Sequence, residues 1–278
     1  MCRAWFAYSS FTAVLYMTLA SHCIWWAPAP GSITKTTRED ACVFVWFLLA
    51  RLVLVFNPQI RRSYEMDCEE LCGDKGAFIL MNHSSYFDSL LFAGSCPLGL
   101  VFRKHIRWVM MASLTKVPLV GTSLGEHCGS FKVHFKSSDH ADFSLDRDRQ
   151  EVEKQRMETH IRMGGIIAMY PEGRINLQPP QLDPFRHGAF AQAVKCHAAI
   201  VVGAMSDCYK CWPRDCTIGG YPSAVGFRLQ MWLTPTGAED VAQVAEDARK
   251  RMQAQLDTLL KLSHDNGYDN GDGPQKHD

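Results

Sequence analysis

The junction at which Ala77-Phe78-Ile79-Leu80-Met81 gives way to Asn82-His83-Ser84-Ser85-Tyr86-Phe87-Asp88 constrains the fold of this chain more than any other feature. A short unbroken apolar run bounded by a polar turn reads as a strand buried on both faces. The next residues, Ser89-Leu90-Leu91-Phe92-Ala93, read as a helix. Two further segments repeat the theme. Gly165 to Tyr170 is an apolar run ending in Pro171-Glu172-Gly173-Arg174, and Ala199 to Met205 is a strand preceded by a helix-like stretch up to Lys195. Strands alternating with helices imply an α/β domain. Ligands of such sheets gather beyond the carboxyl ends of the strands, where these polar turns fall.

The turns carry groups suited to chemistry. A histidine acting as a base needs one neutral imidazole nitrogen, and a carboxylate on the other fixes its tautomer and orientation. His83 and Asp88 have the spacing for that pairing, although a histidine and a carboxylate so spaced also occur as ordinary turn and cap residues. Glycine lets the backbone pass close to a ligand, and arginine offers a fork of donors matched to a phosphate. Gly173 and Arg174 bring both properties to the second turn. No Gly-x-Ser-x-Gly elbow surrounds Ser84, Ser85 or Ser89, so a serine nucleophile is not expected.

The rest of the chain fits around these units. Asn57 to Lys75 is polar and reads as a linker. Trp108 to Ser113 and Phe131 to Phe135 are further apolar runs, and Ser144 to Met163 is a charged surface helix with Val152, Met157 and Ile161 on one side. Val225, Phe227, Leu229, Met231 and Leu233 alternate with other residues at the period of a strand. Val241, Val244, Ala248, Met252, Leu256, Leu259 and Leu260 form the apolar stripe of an amphipathic helix that packs on a core. From His264 the chain is polar and is expected to be disordered. The predicted organisation is an N-terminal hydrophobic region (1–58), a main domain (59–263) and a polar tail (264–278).

Ala4 to Ala27 is nearly uncharged and rich in aromatic and aliphatic residues. It approaches the ~20 residues that cross a hydrocarbon core as a helix, with Trp25-Trp26 as an interfacial belt before Pro28. A signal peptide is the rival reading. A second apolar run, Ala41 to Phe56, is shorter and holds Arg51, which suits a re-entrant, interfacial or buried core helix. Together the two segments predict membrane association. The formal net charge is zero, which argues against nucleic acid as a partner. Eleven cysteines show no secreted disulfide spacing. Cys208, Cys211 and Cys216, with Cys196-His197, can be drawn as a zinc site but lack a second ligand pair, and Cys68 and Cys72 are equally inconclusive. No metal and no cofactor is expected.

With these motifs in order from about Gly76 to Thr234, the chain resembles the glycerolipid acyltransferases. That family carries an Asn-His-x4-Asp box, a stretch with lysine and proline ending at a basic residue, a Pro-Glu-Gly box and a short apolar strand. The resemblance implies a mixed sheet flanked by helices and transfer of a fatty acyl group from acyl-CoA to a lysophospholipid hydroxyl, most simply that of 1-acylglycerol-3-phosphate. It casts His83 as the general base and Asp88 as its orienting partner. Glu172, Gly173 and Arg174 would bind the glycerophosphate, Arg174 clamping the phosphate and Glu172 positioning either that arginine or the glycerol. Val201 and Val202 would line the acyl pocket or simply belong to the core. The basic clusters Arg61-Arg62 and Arg103 to Arg107 would meet lipid or coenzyme A phosphates, or stand as solvated loop charges. The family also implies a bilayer partner, and a site on the cytoplasmic face of the endoplasmic reticulum.

Three departures are visible, the first being the lysine expected ahead of Pro118, which is displaced: Ala112-Ser113 stand in its place and Lys116 lies nearer the proline. Arginine follows Gly173 directly, where the family usually places a threonine between them, a variant closer to tafazzin-like transacylases with Glu-Gly-Lys. The second block reads Lys132-Val133-His134-Phe135-Lys136, so Lys136 or His134 must replace the usual arginine, without its bidentate fork. Remodelling of another lysophospholipid, transacylation without coenzyme A, or a non-catalytic lipid carrier are therefore the competing readings.

Overall fold

Alternate residues of the central strand face two separate cores, and this accounts for its unbroken apolarity. Ala77, Ile79 and Met81 join one buried cluster, whereas Phe78 and Leu80 join the other. The neighbouring strands obey the same rule, with Val201 and Met205 on the first side and Ile200, Val202 and Ala204 on the second. A sheet covered on both faces by helices needs strands of this kind.

A computed structural model describes residues 1–28, 31, 33–66, 75–118, 120–136 and 144–265. Its helices are α1 (Cys2–Trp26), α2 (Lys35–Val55), α3 (Phe87–Ser95), α4 (Leu98–Lys104), α5 (Val120–Thr122), α6 (Arg147–Arg162), α7 (Gly188–Cys196), α8 (Cys208–Cys211) and α9 (Val241–Asp265). Its strands are β1 (Ile60–Met66), β2 (Ala77–Met81), β3 (Arg107–Met111), β4 (Phe131–Val133), β5 (Ile166–Met169), β6 (Ala199–Ser206) and β7 (Ser223–Leu233). They form one seven-stranded sheet in the order β1-β7-β6-β2-β5-β3-β4. The five strands from β6 to β4 are parallel, β7 is antiparallel to β6, and β1 is parallel to β7. The expected α/β fold with a mixed sheet is therefore present. Helices α1, α2 and α3 cover one face, and α6, α7 and α9 the other.

Three expectations need correction. Ile60–Met66 is not a linker but an edge strand on β7, in register Ile60 to Ser223. Only Ile60 is buried, so no alternation marked it in the sequence. On α6, Val152 is exposed, while Gln150 and Glu153 turn inward to accept backbone N–H groups of His134 and Lys132. The third concerns the hydrophobic N-terminus. Among the described residues no helix is long and apolar enough to cross a membrane. Serines, threonines and His22 dilute α1, and α2 is a core helix with Cys42, Val43, Phe47, Ala50, Val53 and Leu54 buried.

Arg51, the charge inside that second run, has an internal role. Its guanidinium donates to the carbonyls of Gly94 (3.0 Å) and Cys96 (2.7 Å) at the end of α3. A cation there satisfies helix-end carbonyls and complements the helix dipole. Gly94 permits the contact, since a Cβ at this position would lie 2.4 Å from Leu54 Cδ1. Thus α2 buttresses the helix that carries Asp88. The polar tail and the Cys68–Cys72 pair lie outside the described residues, apart from the two tail residues that end α9.

Candidate active site

Because β6, β2 and β5 are parallel neighbours, their carboxyl ends emerge side by side, and the turns that follow them converge. Asn82, the first residue after β2, pins this edge together. Its amide donates to Met205 O (2.9 Å) and accepts from Met205 N–H (2.7 Å), locking the turn to β6. The next residue is His83.

The Asp88 carboxylate is buried in the first turn of α3. Its Oδ2 accepts the backbone N–H groups of Ser84 (2.6 Å) and Ser85 (2.8 Å), and lies 2.9 Å from His83 Nδ1. Three donors on one oxygen hold the group as an acceptor. With the proton on Nδ1, His83 donates to Asp88, and Nε2 keeps its lone pair. The His83 side chain is 17% exposed, so a reactant can reach it.

Glu172 reaches the same loop from β5, 89 residues later in the chain. Its Oε1 accepts His83 N–H at 2.8 Å, and its Oε2 accepts from Asn176 Nδ2 (2.8 Å) and Asp183 N–H (3.0 Å). Asn176 N–H in turn donates to His83 O at 2.6 Å. Both backbone polar groups of His83 are thereby held by the second turn. The carboxylate expected to position Arg174 or the glycerol instead braces the histidine loop. Gly173 makes the turn possible with φ of +75°, a left-handed conformation that side chains disfavour. Arg174 donates through Nε and Nη2 to Asp183 Oδ2 (3.1 and 3.0 Å). That pair is about half exposed on the arginine side, so its net strength is small, roughly 0–1 kcal/mol.

Burial pushes the Glu172 carboxyl from 4.5 up to about 7, while its three donors pull the other way. The folded chain thus binds this proton more tightly than the unfolded chain. The stability it contributes is complete below about pH 4.5 and is lost as pH rises to about 7, a loss of about 3 kcal/mol. Denaturant midpoints at about pH 5 and about pH 8 should therefore fall more steeply for the wild type than for Glu172→Gln. Parallel falls would contradict the burial argument.

His134 and Lys136 are not drawn into this cluster. Strand β4 is three places from β2 in the sheet, roughly 14 Å at the usual strand spacing. Among the described residues no hydrogen bond joins either side chain to His83, Asp88 or Glu172, and the block's Lys132 pairs with Glu126 at 3.2 Å. Nor does the drawn zinc site assemble: among the described residues no three metal-ligating side chains come together. Cys208 and Cys211 are buried thiols, Cys208 pushed well up by burial and by the Asp88 charge, and Cys211 to about 12 by burial. Val201 and Val202 are fully buried, one in each core cluster.

The Arg103–Arg107 cluster also turns inward in part. Arg107, 2% exposed, pairs with Asp40 (2.8 Å) and Glu39 (3.1 Å) at the start of α2, and His105 Nδ1 lies 2.7 Å from Asp40. Lys104 donates to Lys75 O at 2.8 Å. Only Arg103 of its four basic residues is exposed.

Sequence reasoning left Asn82, Tyr170 and Asn176 without roles. All three stand inside or beside the two polar turns, but the contacts that join them to the other turn or to β6 reach distant parts of the chain.

The profile described as Acyltransferase matches residues 59–206, more than half of the chain. The chain belongs to the acyltransferase family. No curated protein matches this acyltransferase. Its fold is similar to that of the crystal structure of the 1-acyl-sn-glycerophosphate (LPA) acyltransferase, PlsC, from Thermotoga maritima. The TM-score is 0.66 at 13% identity, covering 92% of this chain and 95% of that one. Both the histidine turn and the Pro-Glu-Gly turn of this acyltransferase lie inside the matched residues.

Proposed function

We propose that the enzyme transfers a fatty acyl group from acyl-CoA to the sn-2 hydroxyl of 1-acylglycerol-3-phosphate, giving phosphatidic acid. His83 Nε2 takes the hydroxyl proton as the oxygen attacks the thioester carbonyl. Collapse of the tetrahedral adduct breaks the carbon–sulfur bond, and the imidazolium returns the proton to the departing thiolate. Asp88 holds the imidazole in the required tautomer.

One observation carries this reading. A continuous chain of hydrogen bonds runs from His83 through Glu172 and the Asp183 backbone to the residue whose carboxylate holds Arg174. The base and a guanidinium are thus tied to one scaffold, as a hydroxyl and a phosphate on the same glycerol require. Asp183 pairs only weakly with this half-exposed guanidinium, so an incoming phosphate can replace it. Lys136, just beyond the sheet's β4 edge, supplies further positive charge for coenzyme or lipid phosphates, and His134 a further hydrogen-bonding group. The Thermotoga enzyme of similar fold is named for the same acceptor.

The substrate dissolves in bilayers, and α1 suits such a surface. Its outward side is a stripe of Trp5, Tyr8, Phe11, Leu15, Tyr16, Leu19 and Trp26, all exposed and none charged. Exposed apolar stripes of this kind mark contacts with a partner protein or a membrane, and this reading seats the stripe on the bilayer surface. The cytoplasmic face of the endoplasmic reticulum is the compartment this reading assigns.

Purified full-length protein, mixed with labelled acyl-CoA and phosphatidylcholine vesicles holding single lysolipids, tests the proposal. Labelled phosphatidic acid from lysophosphatidate, by protein that floats with the vesicles, is expected. Product only from lysophosphatidylcholine or lysocardiolipin rejects the acceptor, and protein left in the dense fraction rejects the membrane seat.

A further inference from the structure

The reading of His83 as base leaves one contact unexplained: the aromatic ring lying flat on its face. The Tyr170 and His83 ring centroids are 4.0 Å apart with an interplanar angle of 8°. Few side-chain contacts define an imidazole's plane so tightly, and Tyr170 is itself held at several points. Its hydroxyl lies 2.9 Å from Ser89 Oγ on α3, the helix that carries Asp88. Trp108 of β3 packs against it at 6.0 Å. Burial and the Asp88 charge push the phenol well above its ordinary range, so it remains neutral while the histidine titrates.

We propose that Tyr170 is a positioning residue, a plate that holds the His83 imidazole in the plane set by Asp88 and steadies its protonated form. The assignment rests on His83 being the base. Asp88 fixes the tautomer and anchors the ring at one edge, through Nδ1, but a single hydrogen bond leaves tilt about that contact loosely restrained. A stacked plate at 4.0 Å limits that tilt. The π face also attracts the imidazolium that forms as the substrate hydroxyl loses its proton. Tyr170 ends the apolar run of the Pro-Glu-Gly turn, so this turn supports the histidine twice, Glu172 gripping its backbone and Tyr170 its ring.

Other ionisable groups surround the pair. Asp88 and the Cys208 thiol stand on the α3 and α8 sides, and Glu172, which itself titrates near 7, stands on the β5 side. Kinetic pH limbs would mix these groups. The His83 proton is best followed at its own Cε1–H resonance, identified by its absence from His83→Ala.

The expected result is that Tyr170→Leu lowers the His83 titration midpoint by roughly half a pH unit and lowers kcat by roughly 10-fold or more, with both KM values little changed. Tyr170→Phe keeps the plate and loses only the Ser89 tether. Its midpoint should stay at the wild-type value, with a kcat loss of a few-fold that Ser89→Ala reproduces. Should the leucine variant fail to fold, Tyr170→Met carries the same prediction. An unmoved midpoint in the non-aromatic variant, or a loss confined to KM, overturns the proposal. If His83→Ala is inactive while Tyr170→Leu behaves as wild type, this inference alone fails. If His83→Ala retains activity, the base assignment beneath it fails.

Discussion

Replacement of His83 by alanine is expected to lower turnover by about 10²–10⁴-fold, the usual contribution of a positioned general base. The fold should survive. The imidazole is partly exposed, and its loop is held mainly through backbone bonds to Glu172 and Asn176 that alanine retains. Steady-state kcat with the preferred lysolipid, beside a thermal melt, separates lost chemistry from lost structure. Asp88→Asn provides the companion test. An amide oxygen in place of Oδ2 can still accept from His83, Ser84 and Ser85, so the ring stays in place while the charge disappears. Its loss should be smaller than that of His83→Ala. Activity of His83→Ala within a few-fold of wild type would refute the assigned base.

Arg107→Ala should give the largest loss of stability. The guanidinium is buried against Asp40 and Glu39, and removing it leaves two carboxylates with their main cation gone. Breaking a buried pair from one side costs about 3–5 kcal/mol, or roughly 6–20 °C in melting temperature for a domain of this size class. Arg103→Ala, four residues earlier and exposed, should change stability by no more than about 0.5 kcal/mol. Thermal melts of the two variants decide the matter, and similar Tm values would contradict the internal role given to Arg107. The substitution should also disturb the active site indirectly, because α2, anchored by this ion pair, caps the helix bearing Asp88 through Arg51.

The two arginines show where reading a sequence stops. Arg103 and Arg107 sit in one basic run and look alike in the chain, yet one meets solvent and the other two carboxylates from a helix 67 residues away. Arg51 likewise looks like an obstacle to an apolar helix until the end of α3 is brought beside it. Long-range pairing of charges leaves no periodic signal. The edge strand Ile60–Met66 is a related case: with one buried residue and only one face partly covered, it has the composition of a linker.

Local order was sufficient for the α/β class, for β2, β5, β6 and β7, for α7 and α9, and for the nearness of His83 to Asp88, because burial on one or two faces imposes a period and a five-residue turn leaves little freedom. What joined the histidine turn to the Pro-Glu-Gly turn was the strand order, with β6, β2 and β5 side by side. That adjacency put Glu172 on the backbone of His83 and Tyr170 on its ring, and left His134 and Lys136 at the far edge. Hydrogen-bond geometry between segments 89 residues apart depends on the packing of the whole sheet, and no stretch of chain encodes it locally.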